Sequence, residues 1–223
     1  MIKKYITLKS FLYKPYLYFR IFWLNKAFIK KKSYSQSGED LVISKFFKSQ
    51  KKGIYVDIGA YDPIKYNNTY LLYLKGWRGI NIDLNRTSID QFKIIRSEDH
   101  NVVSAISDKV EKRNLYIENI FSPLNKIDKN FNSQINNKKN GFIKTKRFDE
   151  IVKNKIDFLD IDIEGMDFKV LKSINLEFYK PKLINIEIFG KKKIDLVSKY
   201  LNSKNYHLLK KINSSYLFAL KRL

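Results

Sequence analysis

From Gly53 onward, short apolar runs alternate with polar stretches that carry an apolar residue every three or four positions. Those are the two periods that separate buried strands from amphipathic helices. "IYVDIG" reads as a buried strand, "NNTYLLYLKGW" as a helix capped at its start by Asn67 or Asn68, "GINIDL" as a second strand and "NRTSIDQFKIIRSE" as a second helix. "NVVSAISD" predicts a third strand. Residues 110 to 145 are looser, with a strand at "RNLYIEN", an Asn- and Lys-rich loop, and "FIKTKRFDEIV" as a strand running into a helix. Insertion and mobility are expected in a region of that kind. Order returns with the strand "IDFLDIDIEG", the helix "MDFKVLKSIN" and the strand "KLINIEI". A helix near 191 to 202 follows, then the strands "YHLLKKI" and "SYLFALK" around the turn "NSS", which form a hairpin.

Strands alternating with helices imply right-handed crossovers and a parallel sheet covered on both faces, to which the hairpin adds one antiparallel strand. This α/β arrangement is the seven-stranded layout of Rossmann-like, class I methyltransferases with a C-terminal antiparallel hairpin. A length of 223 residues fits one well-buried domain with a short appendage. The hydrophobic fraction of 44%, with 15% aromatics, is globular in character. We divide the chain into an extension over 1–33 and a domain over 34–223. The first 32 residues hold no acid, many aromatics, and Lys or Arg at intervals. Lys14, Arg20 and Lys26 break every apolar run well short of the ~18 residues that a spanning helix needs, and no small-residue cleavage site follows. Two readings stand side by side. One is an interfacial segment on an anionic membrane, aromatics in the headgroup layer and Lys at the phosphates; the other is a helical extension packed on the core.

The net charge of +22 invites a nucleic-acid or anionic-membrane partner. The basic residues are overwhelmingly Lys, however, and Arg, which reads guanine and clamps phosphate in two-pronged fashion, is scarce. With no appended binding module, no nucleic-acid partner is expected. The absence of cysteine excludes disulfides, thiolate metal sites and a Cys nucleophile, and fits a cytoplasmic location. His100 and His207 are too few for a three-histidine zinc site.

Ligands of an open parallel sheet sit beyond the carboxyl ends of its strands. Those ends are acidic here: Asp57 with Gly59, Asp83, Asp108, Asp160 with Asp162 and Glu164, and Glu187. From Gly59 to Asp83 is 24 residues, near the ~20 expected of an acid that accepts the hydroxyls of a ribose. A pyrophosphate is not expected, because its close approach needs further glycines and this turn has Tyr61 and Pro63 instead. No phosphate-binding GxxxxGK[ST] loop occurs either. A nucleoside without phosphates and with a cationic methionine arm suits acids and a single glycine, which is S-adenosylmethionine.

Four strings, "YSQSGED" at 34 to 40, "YVDIGAYDPIKYNNTYLLYLKGWRGINIDLN" at 55 to 85, "DFLDIDIEGMDFKVLKS" at 157 to 173 and "PKLINIEI" at 181 to 188, resemble the FkbM-type S-adenosylmethionine-dependent methyltransferases. The resemblance implies methyl transfer to an oxygen, often a hydroxyl of a sugar, glycan or polyketide-type small molecule. It places Asp57 and Gly59, with Tyr61, around the methionine part, Asp83 on the ribose, and Ser107 and Asp108 beside the adenine. It sets Asp162, Glu164 and Gly165 at the amino-acid moiety and acceptor, where Asn68 joins Glu164. Ser35, Gln36, Glu39 and Asp40 form a hallmark folded over the cofactor. Asp160 stands where relatives often have Lys or Ser, and Met166 where they often have His or Ala.

Methyl transfer from a sulfonium is an in-line displacement that also needs a base for the acceptor proton. The candidates are Asp160 or Asp162, assisted by Glu187; the same three oxygen sets are candidates for holding Mg2+. The alternatives are an RNA methyltransferase, motivated by the charge, and a non-catalytic module that kept the fold, motivated by Asp160 and Met166.

Overall fold

The computed structural model describes residues 8, 11–24, 26, 31–116, 119–122, 126–127, 139–163 and 165–221. Five strands rich in β-branched residues run parallel as the heart of the main sheet: β1 (Ile54–Ile58), β2 (Arg78–Asp83), β3 (His100–Val103), and, far along the chain, β7 (Phe158–Ile161) and β8 (Leu183–Glu187). β9 (Tyr206–Ile212) and β10 (Ser215–Leu220) complete it in the order β3-β2-β1-β7-β8-β10-β9, with β10 antiparallel to both its neighbours. The expected seven-stranded sheet with its closing hairpin is therefore present. The region after β3 folds into a second, three-stranded sheet, β5-β4-β6, from β4 (Lys112–Tyr116), β5 (Lys126–Ile127) and β6 (Lys139–Lys144).

The two faces of the main sheet differ chemically, because side chains alternate along each strand. One face is aliphatic, with Ile82, Ile58, Ile161 and Ile186 level across four strands. It packs on α5 (Phe148–Ile151), α6 (Asp167–Ser173), α7 (Leu176–Tyr179) and α8 (Lys191–Ser203) through Phe148, Val170, Leu171, Tyr179, Val197 and Leu201. The other face carries Tyr55, Phe158, Leu183 and Ala219 at the amino end, under α2 (Glu39–Phe46), α3 (Tyr70–Leu74) and the fully buried Trp77. One step further along the strands that face turns polar: Asn101, Asn81, Asp57, Asp160 and Asn185 lie in register across five strands.

Several elements differ from the sequence pattern. The helix read from Asn67 or Asn68 starts at Tyr70, since the Asn67 amide turns inward to Asp57 Oδ2 (3.1 Å) and the Ala60 carbonyl (3.2 Å) and its Oδ1 accepts from Thr69 N. The third strand stops at Val103, because Ile106 leaves the sheet to bridge Lys146. α2 and α7 were not anticipated. The N-terminal extension forms α1 (Tyr13–Phe19), continued by a π-helical turn over Arg20–Leu24. It docks by Tyr13, Tyr16 and Leu17 on Ile94 of α4 (Arg86–Ile95) and on Ile120 and Phe121. Among the described residues no helix is long and apolar enough to cross a membrane.

Candidate active site

A cleft of about 320 Å³ opens at the carboxyl ends of β1, β2, β7 and β8, within the ~300–1,000 Å³ usual for small-molecule sites. Its floor is the turn after β1. Gly59 takes φ +85° and donates its N–H to the Ile82 carbonyl at 2.8 Å, while Asp162 N donates to the Ile58 carbonyl at 2.9 Å. The turns of β1 and β7 thus touch by their main chains. A Cβ on Gly59 would overlap the carbonyl oxygen of Asp162 and stand 2.8 Å from its carbon.

The loop from Tyr61 to Thr69 makes one wall. Tyr61 and Tyr66, both facing the cleft, hold φ of 54° and 53°, a left-handed conformation that persists only when the surroundings enforce it. Arg96 does the enforcing. It is fully buried, gives Nε and Nη2 to the Pro63 carbonyl (2.9 and 2.6 Å), Nη2 to Asn67 Oδ1 (2.6 Å) and Nη1 to Thr69 Oγ1 (2.7 Å), and lies against the Phe92 and Tyr70 rings. Asn67 and Thr69 in turn donate to Asp57 Oδ2. Sequence reasoning passed over Arg96, which sits in a helix-ending "RSE" that reads as surface charge.

The hallmark at 34 to 40 folds around Asp40, whose carboxylate accepts from Ser33 Oγ (2.7 Å), Ser35 Oγ (2.8 Å) and Tyr34 N (2.6 Å). That turn delivers Gln36 and Glu39 to the cleft.

Asp83 ends β2 with its carboxylate anchored by Tyr61 N (2.9 Å) and Asn85 N (2.6 Å). Burial pushes its pKa up to about 6, the two N–H donors working the other way. Asp162 and Glu187 face the cleft at the ends of β7 and β8, hydrogen-bonded to each other, and Ser214 Oγ donates to Glu187 at 2.8 Å. Asp162 is exposed at the mouth of the cleft. Partial desolvation of its carboxyl, then the charges of Glu187, Asp167 and Asp160, raises its pKa well above the carboxylate range. Asp167, also unremarked in the sequence, pins the turn by accepting from Ile163 N and Gly165 N at 2.8 and 2.9 Å.

Other candidates lie elsewhere. Asp57 and Asp160 sit side by side two residues inside the rim, under the helices, and neither lines the cleft. Asp57 is held by Arg96, Thr69 and Asn67 against the cost of burial. Among the described residues no ion pair reaches Asp160, and burial followed by the neighbouring Asp57 raises its pKa strongly. A proton shared by the pair therefore belongs to Asp160. It suits Asn185 as well, whose Nδ2 donates to Asp160 Oδ1 (2.7 Å) while its Oδ1 is buried without a donor: turned over, the amide would accept that proton. Asp160 reaches the cleft only through Asn68, which bonds to it and lines the wall. Ser107 and Asp108 fall beyond the wall, which Ser104, Ala105 and Ile106 form instead because β3 ends early; Asp108 pairs with Lys169 at 3.1 Å. Glu164 lies outside the described residues. Asp160, Asp162 and Glu187 do not assemble as a metal site, and no such cluster occurs among the described residues.

The cleft thus offers an apolar slot of Leu84, Ala105, Ile106 and Ile127 beside Asp83, a glycine floor, and acids at the far end. Its described lining holds four carboxylates, Glu39, Asp83, Asp162 and Glu187, and no Lys, Arg or His, in a chain of net charge +22. An arrangement like this favours a cation and disfavours phosphates.

The family model for the methyltransferase FkbM domain matches residues 57–208. A crystal structure of methyltransferase FkbM from Methylobacillus flagellatus is similar with a TM-score of 0.52 at 17% identity, over 76% of this chain and 44% of that one, which shows a shared fold. The chain spans less than half the length of that protein. No curated protein matches in sequence.

Proposed function

The chain belongs to the FkbM methyltransferase family, and on that premise we propose that it transfers the methyl group of S-adenosylmethionine to a hydroxyl of a sugar or glycan. The observation that carries this reading is the cleft itself: four carboxylates and no basic side chain among its described lining. Acids of that kind attract a sulfonium and accept hydrogen bonds from neutral hydroxyls, whereas they repel the phosphates of a nucleic acid.

Bound in the cleft, S-adenosylmethionine supplies a methyl group already activated by its sulfonium. Gly59 leaves room for the ligand against the β1 turn. Asp83, fixed by Tyr61 N and Asn85 N, keeps lone pairs free for the ribose hydroxyls, and the apolar slot beside it takes the base. Asp162 takes the proton of the acceptor hydroxyl, a task for which a raised pKa is suited, and Glu187 beside it orients and shares that proton.

Asp83→Asn should weaken cofactor binding roughly 10- to 100-fold, the size of a lost charged hydrogen bond of about 1.5–3 kcal/mol. In the natural protein, affinity should fall as pH drops through about 6, where the carboxyl gains its proton, and the Asn variant should show no such step. Calorimetric titration from pH 5 to pH 8 reads both effects; identical pH profiles would remove Asp83 from the ribose.

Asp162→Asn should lower kcat at least ~100-fold, the low end for a lost general base, with cofactor affinity little changed. Asp160→Asn, off the cleft, should leave kcat within about tenfold. Transfer of labelled methyl to a panel of neutral glycans tests the pair, and near-normal turnover by the Asp162 variant would assign the base elsewhere. Turnover should also rise with pH through the raised pKa of Asp162.

A further inference from the structure

We propose that the helix over residues 13–24 is a peripheral anchor that seats the protein on an anionic lipid surface. One of its faces is already in use. Tyr13, Leu17 and Ile21, four residues apart, are buried, and Tyr13 OH donates to Asp90 Oδ2 at 2.9 Å. Arg20 lies over the Phe121 ring at 4.9 Å, donates Nε to Gln91 Oε1 at 3.3 Å and bonds Tyr61 of the cleft wall. These contacts fix which side points outward.

Among the described residues the outward side is apolar and exposed. Phe11 is 90% exposed and Trp23 71%, with Leu12, Tyr18, Phe19 and Phe22 about half exposed. Tyr18 stacks on Phe22 and Phe19 on Trp23, at 6.2 and 6.5 Å between ring centroids. The two stacks run side by side along the helix. A contiguous aromatic platform is rare on a monomeric soluble protein and marks a surface that is covered in use.

Charge identifies the occupant. The first 32 residues carry nine basic residues and no acid, and exposed Lys14 and Lys26 flank the platform, Lys26 Nζ standing 6.0 Å above the Trp23 ring. A second copy would bring the same cations against themselves and add another +22. An anionic lipid surface satisfies both features: aromatic rings settle at the headgroup boundary, and Lys and Arg side chains are drawn to the phosphates.

The chain's two tryptophans provide the readout, since Trp77 is fully buried and Trp23 exposed. Vesicles containing phosphatidylglycerol should shift the emission of the full-length protein to the blue and carry it into the pellet, while phosphatidylcholine vesicles or high salt should do neither. Phe19→Ser with Phe22→Ser should cut the bound fraction at least tenfold without altering S-adenosylmethionine binding. The proposal fails if anionic vesicles leave emission and sedimentation unchanged, or if the double variant binds them as well as the parent. It also fails if the same blue shift appears without lipid on raising protein concentration, or if RNA alone elicits it; those results assign the platform to a second copy or to nucleic acid.

Discussion

Gly59→Ala is expected to lower the affinity for S-adenosylmethionine by about 100-fold or more while the chain still folds. Two separate terms act at this position. An L side chain at φ +85° costs about 1–2 kcal/mol. The added carbon also meets the main-chain carbonyl of Asp162, which no rotamer change can move aside. The β7 turn must therefore shift away from β1, and displacement by about 1 Å suffices for a 10²-fold effect on a reaction geometry. Gly76→Ala separates the two terms, because Gly76 has φ +89° and nothing within 4 Å of its would-be Cβ. That control should lose a similar increment of stability and keep full affinity. Calorimetric titration of both variants, with circular dichroism as a check on folding, decides the matter; affinity within threefold of the parent for Gly59→Ala would show that the floor tolerates movement.

Arg96→Ala should destabilise the domain by about 3–5 kcal/mol, the range found when one partner of a buried charge pair is removed. For a chain of this size that is a fall in Tm of roughly 10 °C. The loss has three parts: Asp57 keeps its burial without its cation, the acceptors on Pro63, Asn67 and Thr69 lose their donors, and Tyr61 and Tyr66 lose what enforces their left-handed backbone. Arg96→Lys should recover less than half of it, since one ammonium cannot replace a planar fork of five donors. The pH dependence has a definite sign. Without Arg96 the folded-state pKa of Asp57 rises further, so the deficit should be largest at neutral pH and shrink as acid protonates that carboxyl. Thermal melts from pH 5 to pH 8 measure both effects, and a deficit that grows in acid would contradict this account.

Local patterns carried most of the fold. Runs such as "IYVDIG" and "FLDIDI" announce strands buried on both faces, and the 24 residues from Gly59 to Asp83 placed the acid that the structure sets at the rim of β2. Register could not be read in the same way. Asp57 is level with Asn81 and Asp160, so it stands one pleat inside the rim that Asp83 and Asp162 occupy. Only pairing between strands about a hundred residues apart in sequence decides that, and one pleat separates the lining of the cleft from the layer beneath it. Ser107 and Asp108 were misplaced for a related reason: "NVVSAISD" looks continuous, but a bridge from Ile106 to Lys146 draws the chain out of the sheet. α2 was missed, although Val42, Ile43, Phe46 and Phe47 carry a helical apolar spacing. The docked face of the extension was not legible, because aromatics surround that helix and no single stripe stands out.

The position of β10 bears on how the molecule is made. It follows β9 in the chain yet lies between β9 and β8, bonded to each. While residues 188 to 214 are leaving the ribosome, β8 is already outside with one edge bare, and β9 has nothing in the main sheet to pair with. Until residue 220 arrives, each nascent chain presents an unpaired hydrophobic strand of the kind that recruits its copies. Messages truncated between Phe189 and "SYLFAL" should accordingly yield aggregates and clients of chaperones, even though every residue lining the candidate cleft except Ser215 has already been synthesised.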